Sequence, residues 1–234
     1  MYNKEFAEIY AEYNWDFFLN EVFKNLMIYF ATNNISINNH LDIACGLGTL
    51  CNRFYENGIN TEGIDLSPYM IDIAKNRYPN INFETLGMAD FYLDKKYDLI
   101  TCTGDSINHL LTVEEIKKAC LNVYNHLEQD GLFIFDIFDT NQLVTDEQII
   151  YEREDKIKIY YHLTSKNNKL NLNIIVTKDD IKTHEENVSE LIINSTDLTN
   201  ILRDVGFNII RCSDNICNEN QILDKKLYFI CQKN

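Results

Sequence analysis

The strongest constraint on the fold is an alternation of short apolar runs, punctuated by Gly and Asp, with longer amphipathic stretches between residues 40 and 138. Parallel strands need a crossover connection, which is usually a helix. The alternation therefore predicts an α/β fold with a doubly wound, mostly parallel sheet. The predicted strands span residues 41–44, 61–65, 82–85, 97–103 and 132–138, and the predicted helices span residues 49–57, 70–76 and 112–126.

The flanking segments follow other patterns. Apolar residues at spacings of three and four over residues 13–32 predict one or two helices with a buried face. After Thr145, alternating β-branched and aromatic residues are typical of antiparallel hairpins. Residues 195–197 are candidate caps of a helix that ends at Gly206. The predicted hairpin strands span residues 149–163, 170–176 and 183–193, and the last helix and two strands span residues 198–205, 208–211 and 227–232.

Composition narrows the class of protein. A chain of 234 residues, with 45% apolar and 24% charged residues, predicts a single globular domain over residues 1–234 with room for an insertion. The net charge of −15 repels phosphate backbones, so we expect no nucleic-acid partner. No stretch approaches the ~18 apolar residues of a membrane span, so we expect no membrane partner. The first residues lack a secretory signal, which predicts a cytoplasmic protein.

The cysteines do not suggest a metal or a disulfide framework. There are seven of them, an odd number, and no two form a C-x-x-C pair. We therefore expect reduced, mostly buried cysteines and no metal site.

A glycine-rich loop follows the first predicted strand, in the sequence from Leu41 to Thr49. Gly46 and Gly48 lack the Cβ atoms that would keep a ligand away from the backbone, and the helix that follows presents free N–H groups. Such a loop is also compatible with a plain strand-to-helix turn, so it is weak as a signal when taken alone.

Asp65 strengthens the signal, because it ends the second predicted strand 65 − 46 = 19 residues after Gly46. This spacing suits an acid that accepts hydrogen bonds from both ribose hydroxyls. Together with Asp42 it favours a nucleoside cofactor that carries a positive group. The alternative is that Asp65 only caps the helix after Pro68.

Two common nucleotide motifs do not fit the loop. A dinucleotide fingerprint that starts at Gly46 needs a third glycine where Cys51 stands, and a phosphate-binding P-loop needs a lysine that residues 49–51 lack. A pyrophosphate or triphosphate ligand is therefore disfavoured.

These residues resemble the class I S-adenosylmethionine-dependent methyltransferases. The resemblance rests on five segments within residues 37–145: residues 42–48 and 63–67, the fourth strand at 97–102, the loop at 105–110 and the fifth strand at 131–136. It implies a Rossmann-like sheet of seven strands, mostly parallel, with a reversed C-terminal hairpin and an antiparallel β-hairpin insertion after strand 5. It also implies S-adenosyl-L-methionine as the cofactor.

The resemblance assigns the parts of the cofactor site. Ala44, Gly46 and Gly48 would line the methionine part, Asp65 would hold the ribose, and Leu66 and Met70 would touch the adenine. The full set of expected cofactor-binding residues is Tyr10, Asp42, Ala44, Cys45, Gly46, Gly48, Asp65, Leu66, Met70, Met88 and Thr103.

One position departs from the family pattern. Similar members have an acid before Met88, near the adenine, where this chain has Gly87. Asp90, three residues further on, is a candidate substitute.

Methyl transfer from a sulfonium depends mainly on alignment and desolvation. His109 follows strand 4 where the acceptor should lie, and we expect it to be the catalytic residue, since a neutral imidazole accepts a proton near pH 7. The alternative is that His109 only caps the helix that starts near Thr112. Asp105 and Tyr13 are the expected substrate-binding residues.

Two segments are expected to enclose the site. By the resemblance, residues 1–36 form a helical lid that includes Tyr10, although Phe6, Ile9 and Tyr10 fit simple core packing equally well. The β-rich insertion at residues 145–193 follows strand 5, at the sheet edge where open α/β folds bind ligands, and would form the wall of the acceptor pocket. Its candidate residues are Tyr160, Tyr161, His162 and His184.

The sequence thus predicts transfer of a methyl group from S-adenosylmethionine to a nitrogen or oxygen of a small molecule. The negative charge favours a neutral or cationic acceptor, such as an amine. Alternatives are a protein that binds S-adenosylmethionine or S-adenosylhomocysteine without turnover, which Gly87 favours, and a nicotinamide-dependent dehydrogenase, which Cys51 disfavours. Either a monomer or a homodimer fits the sequence.

Overall fold

The computed structural model describes residues 3–140, 147–152, 156–216 and 226–234. Within these residues, six helices cover the sheets: α1 (Lys4–Glu12), α2 (Leu19–Thr32), α3 (Thr49–Glu56), α4 (Pro68–Arg77), α5 (Val113–His126) and α6 (Ser195–Val205), and a short 3-10 helix spans Ser106–His109. The strands of the main sheet are β1 (Asn39–Ile43), β2 (Asn60–Asp65), β3 (Asn82–Thr85), β4 (Tyr97–Cys102), β5 (Leu127–Phe138), β10 (Phe207–Ser213) and β11 (Lys226–Lys233). The strands of a second sheet are β6 (Glu147–Glu152), β7 (Ile157–Lys166), β8 (Lys169–Lys178) and β9 (Ile181–Leu191).

The main sheet has the order β10-β11-β5-β4-β1-β2-β3. The five strands from β5 to β3 are parallel, and β11 pairs antiparallel with both β5 and β10. The strand order reverses between β1 and β4, which places a ligand crevice outside their carboxyl ends. The predicted α/β fold with a mostly parallel seven-stranded sheet and a separate hairpin sheet is confirmed.

The second sheet is an antiparallel meander of β6, β7, β8 and β9. Its two described turns have positive φ at both central residues, Asn167 and Asn168 in one and Asp179 and Asp180 in the other. Asn and Asp tolerate this left-handed backbone, and it matches the twist of paired strands. Thr145, the predicted start of the insertion, lies outside the described residues.

The two N-terminal helices pack against different partners. The apolar face of α2, which includes Leu26 and Phe30, joins a buried cluster with Phe54 of α3 and Ile134 of β5. Helix α1 instead places Phe6 in a cluster with α4 and with the second sheet. Residues 1–2 of the expected lid lie outside the described residues. In the described part of the chain, no helix has the length and apolar composition needed to span a membrane.

A chain of buried hydrogen bonds links the three adjacent strands β4, β1 and β2. Oγ1 of Thr101 on β4 donates to Oδ1 of Asp42 on β1 over 2.6 Å. The same Oγ1 lies 2.8 Å from Nε2 of His40, and Nδ1 of His40 lies 2.8 Å from Oγ1 of Thr61 on β2. Because Thr101 uses its proton on Asp42, Nε2 of His40 must donate to it, and Nδ1 must accept from Thr61. Burial keeps this imidazole neutral by lowering its pKa to about 3.

We predict that His40 makes stability sensitive to acid. Its pKa is lowered from 6.5 to about 3 on folding, so the unfolded chain binds a proton first and stability falls as the pH drops below 6.5. Between pH 7 and pH 5, the unfolding free energy should fall by about 2 kcal/mol relative to that of the His40→Gln variant. Urea unfolding at the two pH values measures this difference.

Asp42 also titrates in this range, but both proteins contain it, so its contribution cancels when their losses of unfolding free energy are compared. His162→Gln is the control, because His162 lies exposed on β7. Equal losses on acidification in the unsubstituted protein and in the His40→Gln variant would show that His40 does not take part in this coupling.

Candidate functional site

The loop between β1 and α3 lies at the carboxyl edge of the sheet and has an unusual backbone. Ala44, Gly46 and Gly48 have φ angles of 57°, 53° and 78°, all in the left-handed region. A Cβ added at Gly48 would lie 2.5 Å from Cζ of Phe83, whereas one added at Gly46 would meet no atom within 4 Å. Gly48 is therefore needed for packing, while Gly46 leaves its backbone open to close approach by a ligand.

Asp65 ties the glycine loop to the end of β2. Its Oδ2 accepts a hydrogen bond from the backbone N–H of Gly46 over 3.0 Å, and its Oδ1 accepts one from Ser67 N–H over 2.7 Å. The cap of α4 is Ser67, whose Oγ accepts from Met70 N–H. Asp65 is half-buried, and each of its oxygens keeps a lone pair for a further donor. Burial raises the pKa of this carboxyl, and the two backbone donors oppose that rise.

Asp42 and Cys45 lie beneath the loop. Asp42 is 2% exposed, and burial raises its pKa to about 7 against the opposing hydrogen bond from Thr101. Cys45 is buried in a cluster with Cys51 and Phe83. Both side chains therefore support the loop from within the sheet, and the backbone at 44–46 forms the surface above them.

Leu66, Gly87 and Asp90 lie close together at the expected adenine side. Leu66 is 57% exposed at the end of β2. A Cβ added at Gly87 would lie 2.8 Å from Oδ1 of Asp90 and 3.5 Å from Cδ1 of Leu66. The carboxylate of Asp90 thus occupies the space beside the Gly87 backbone. Met88 is half-buried against the main core, and Met70 is buried beneath α1.

A cavity of about 170 Å³ lies between α1, the loop after β4 and the second sheet. Tyr10, Asp105 and His109, all expected site residues, line it. Tyr13 is buried in the α1 cluster, and Thr103 is buried at the end of β4. The cavity is also lined by Phe6, Trp15, Phe18, Tyr161, Glu190 and Lys226.

Asp136, Asp105 and Lys226 form a charged cluster at the ends of β4 and β5. The carboxylate of Asp136 accepts the backbone N–H groups of Gly104 and Asp105 over 2.9 and 2.8 Å. Nζ of Lys226 lies 3.0 Å from Oδ1 of Asp105 and 3.1 Å from Oδ2 of Asp136. These two carboxylates raise the pKa of Lys226 in spite of its burial. The ammonium is therefore charged and held in place.

His109 ends the 3-10 helix and faces the second sheet. Its Nε2 lies 3.8 Å from Oε1 of Glu190. Burial lowers the pKa of His109, against the opposing effect of Asp105, so the ring is neutral at pH 7 and can accept a proton. The cap of α5 is Thr112, whose Oγ1 accepts from Glu115 N–H.

The four candidates of the insertion have different surroundings. Tyr161 lines the cavity, whereas its neighbour His162 is exposed, as alternation along a strand requires. Tyr160 is half-buried outside the cavity lining. His184 is buried, with Nδ1 3.4 Å from Oε1 of Glu5 on α1.

Sequence reasoning missed Trp15, Glu190 and Lys226 as cavity residues. None stands near a motif, and tertiary packing alone brings them to the loop after β4. Asp136 could have been predicted as a site residue from the sequence, because it lies near the carboxyl end of a predicted strand that is next to β4.

Comparisons with known proteins agree with this geometry. Residues 41–131 match the family model described as a methyltransferase domain. A putative methyltransferase of Geobacillus sp. (strain WCH70) is 32% identical over 107 residues, which are 44% of this chain and 43% of that protein. The dTDP-3-amino-3,4,6-trideoxy-alpha-D-glucopyranose N,N-dimethyltransferase of Streptomyces venezuelae is 33% identical over 94 residues, 40% of each chain. The chain thus matches less than half the length of these relatives.

Solved structures resemble the whole chain. An S-adenosylmethionine-dependent methyltransferase from Clostridium acetobutylicum ATCC 824 has a TM-score of 0.83 at 23% identity and covers 98% of each chain. CalS10, an amino pentose methyltransferase from Micromonospora echinaspora, has a TM-score of 0.78 at 17% identity, over 100% of this chain and 98% of that one. Residues 41–131 therefore match a methyltransferase domain, and the chain has the fold of these S-adenosylmethionine-dependent methyltransferases.

Proposed function

We propose that this protein transfers a methyl group from S-adenosylmethionine to a nitrogen or oxygen of a small molecule. The observation that supports it most directly is Asp65, which is held against Gly46 N–H at the open carboxyl edge of the sheet. That pairing supports the proposal, because a carboxylate suited to the two ribose hydroxyls lies beside a loop whose backbone a ligand can approach.

The residues present fit this cofactor. The open space at Gly46 suits the methionine part, and the free lone pairs of Asp65 suit the two ribose hydroxyls. Leu66 offers an exposed apolar side chain for the adenine, beside the carboxylate of Asp90. When bound, S-adenosylmethionine supplies a methyl group on a positively charged sulfur, which suits a chain of net charge −15.

The chain's own part in the reaction is alignment and exclusion of water. We propose that α1 and the turn after it form the lid, because Tyr10 and Trp15 line the cavity next to Asp105. The second sheet forms the opposite wall through Tyr161. Neutral His109 then accepts the proton that the acceptor releases.

The acceptor is a small molecule in this proposal. The Streptomyces venezuelae relative is named for N,N-dimethylation of a dTDP-amino sugar, which favours nitrogen as the acceptor atom. The match to the family model ends at residue 131, whereas Trp15, Tyr161, Glu190 and Lys226 of the cavity lie outside it. The acceptor of this chain therefore depends on its own cavity.

Thermal unfolding with added ligands tests the cofactor. At about 100 times the dissociation constant, S-adenosylmethionine or S-adenosylhomocysteine should stabilise the protein by ~2.7 kcal/mol. Stabilisation by NAD alone would overturn the proposal. Binding of both adenosyl ligands without turnover of any amine, alcohol or phenol would favour the second candidate, a binding protein, which the glycine at position 87 suggests.

We predict that Gly46→Ala lowers cofactor affinity at least about tenfold, because its methyl group enters the space left for the ligand. Calorimetric titration with S-adenosylhomocysteine measures the effect. Gly58→Ala is the matched control: Gly58 also has a left-handed φ, 80°, and open space at Cβ, but lies away from the site. Equal affinities in the two variants would contradict the prediction.

A second prediction concerns Asp90. If its carboxylate replaces the acid missing at position 87, Asp90→Asn should weaken binding of adenosyl ligands about tenfold through loss of a charged hydrogen bond. Asp94→Asn removes the same charge from an exposed position in the same loop and should leave the affinity unchanged. Similar losses in both variants would indicate a general effect of charge.

His109→Ala should lower kcat about a hundredfold with saturating acceptor, because the proton acceptor is removed. Affinity for S-adenosylhomocysteine should stay the same, since His109 lines the 170 Å³ cavity and is not among the residues of the proposed cofactor side. Steady-state kinetics and calorimetry separate the two effects, with His162→Ala as the exposed control. An unchanged kcat would remove His109 from the catalytic machinery.

A further inference from the structure

Glu190 is the buried group that the proposed reaction leaves without a role. It lies near the end of β9, lines the 170 Å³ cavity, and is 4% exposed. Among the residues that the structure describes, its Oε2 has no hydrogen-bond partner. Burying a carboxyl oxygen without a hydrogen-bond donor raises the free energy of the folded state. Such a group therefore indicates a site where a ligand could supply the donor.

The backbone fixes Glu190 in this position. Nδ2 of Asn108, in the 3-10 helix, donates a hydrogen bond to the carbonyl oxygen of Leu191 over 2.8 Å. This bond ties the end of β9 to the loop after β4 at the residue next to Glu190. The side chain is therefore held at the boundary between the second sheet and the loop that carries Asp105 and His109.

Among the residues that the structure describes, acidic groups outnumber basic groups around the cavity. Lys226 already contacts both Asp105 and Asp136, so one positive charge faces two negative ones. Glu190 adds a third acid, and its neighbour His109 is neutral at pH 7. Burial and the nearby Asp105 raise the pKa of Glu190, and Lys226 opposes that rise only in part.

The remaining walls suit an organic cation. Aromatic side chains of Tyr10, Trp15, Phe18 and Tyr161 line the same cavity. Nζ of Lys226 already lies 5.4 Å from the ring centroid of Phe18, a contact between a cation and an aromatic face. At ~30 Å³ for each water, the cavity has room for about six waters, enough for the amine-bearing end of a molecule.

We propose that the cavity receives the amino group of an aliphatic amine and that Oε2 of Glu190 binds it. This inference rests on the proposed function and narrows its acceptor from any small molecule with a nitrogen or oxygen to an amine. An ammonium at Glu190 gives the unpaired oxygen a donor and adds a positive charge to the cavity. Because an ammonium nitrogen has no lone pair, it must give one proton to neutral His109, 3.8 Å from Glu190, before it can accept the methyl group, and the methylated product then leaves as an ammonium.

Binding of two small probes of the same shape tests the proposal. Cyclohexylamine is a cation at pH 8, and cyclohexanol has the same ring with a hydroxyl group. Calorimetric titration of the full chain should show at least about tenfold tighter binding of the amine. In Glu190→Gln the affinity for the amine should fall about tenfold, and that for the alcohol should change less than about twofold.

Glu185→Gln is the matched control. Glu185 lies on the same strand, is exposed, and pairs with Lys182 outside the cavity. Its replacement changes the net charge equally and should leave both affinities unchanged. Glu190→Gln should unfold at an equal or higher temperature than the unsubstituted protein, because it removes a carboxyl group whose ionisation is costly at a buried site.

Equal binding of the two probes, or binding of neither at millimolar concentration, would overturn the inference. An equal loss of amine affinity in Glu185→Gln and Glu190→Gln would overturn it too. S-adenosylhomocysteine is titrated separately into the same proteins. If it binds while the probes are not distinguished, only this inference fails; if it does not bind while the amine is preferred, the proposed function fails instead.

Discussion

Parallel pairing of β1 with β2 on one side and β4 on the other is the constraint on which the site depends. Because the strand order reverses at this point, the chain leaves β1 and β4 toward opposite faces of the sheet. The loops that follow β1, β2 and β4 therefore open around one crevice. Asp65 connects two of these loops, because it accepts hydrogen bonds from Ser67 N–H in its own loop and from Gly46 N–H in the glycine loop.

The glycine loop holds its shape through contacts on both of its sides. Above the sheet, Asp65 accepts the N–H of Gly46. Below it, Asp42 accepts from Thr101, which in turn accepts from neutral His40. Left-handed backbone at Ala44 is unfavourable for a residue with a Cβ, and it persists only where surrounding contacts impose it. The buried polar chain and the loop are thus parts of one structure.

The two halves of the site differ in how the chain assembles them. Most residues of the proposed cofactor side lie within one stretch, from Asp42 to Asp90. The cavity instead combines α1, the loop after β4, the second sheet and the start of β11. The match to the methyltransferase-domain model covers residues 41–131, which include this proposed cofactor side, whereas Trp15, Tyr161 and Lys226 of the cavity lie outside it.

The sequence by itself determined the mostly parallel sheet and the positions of the glycine loop and Asp65 after β1 and at the end of β2. These features follow from local periodicity and short spacings, which a single segment specifies. The sequence was less exact elsewhere, since β5 begins at Leu127 and not at residue 132, and the predicted strand at 149–163 is the two strands β6 and β7. Only the tertiary structure assigned α1 and α2 to different clusters, selected Tyr161 over His162, and brought Glu190 and Lys226 to the loop that carries His109. Those contacts join residues that are distant in the chain, such as Asp105 and Lys226, which are 121 positions apart, so no local pattern encodes them. Burial then decides the charge of each group, because the cost of removing a carboxylate or an imidazole from water depends on neighbours that packing alone provides.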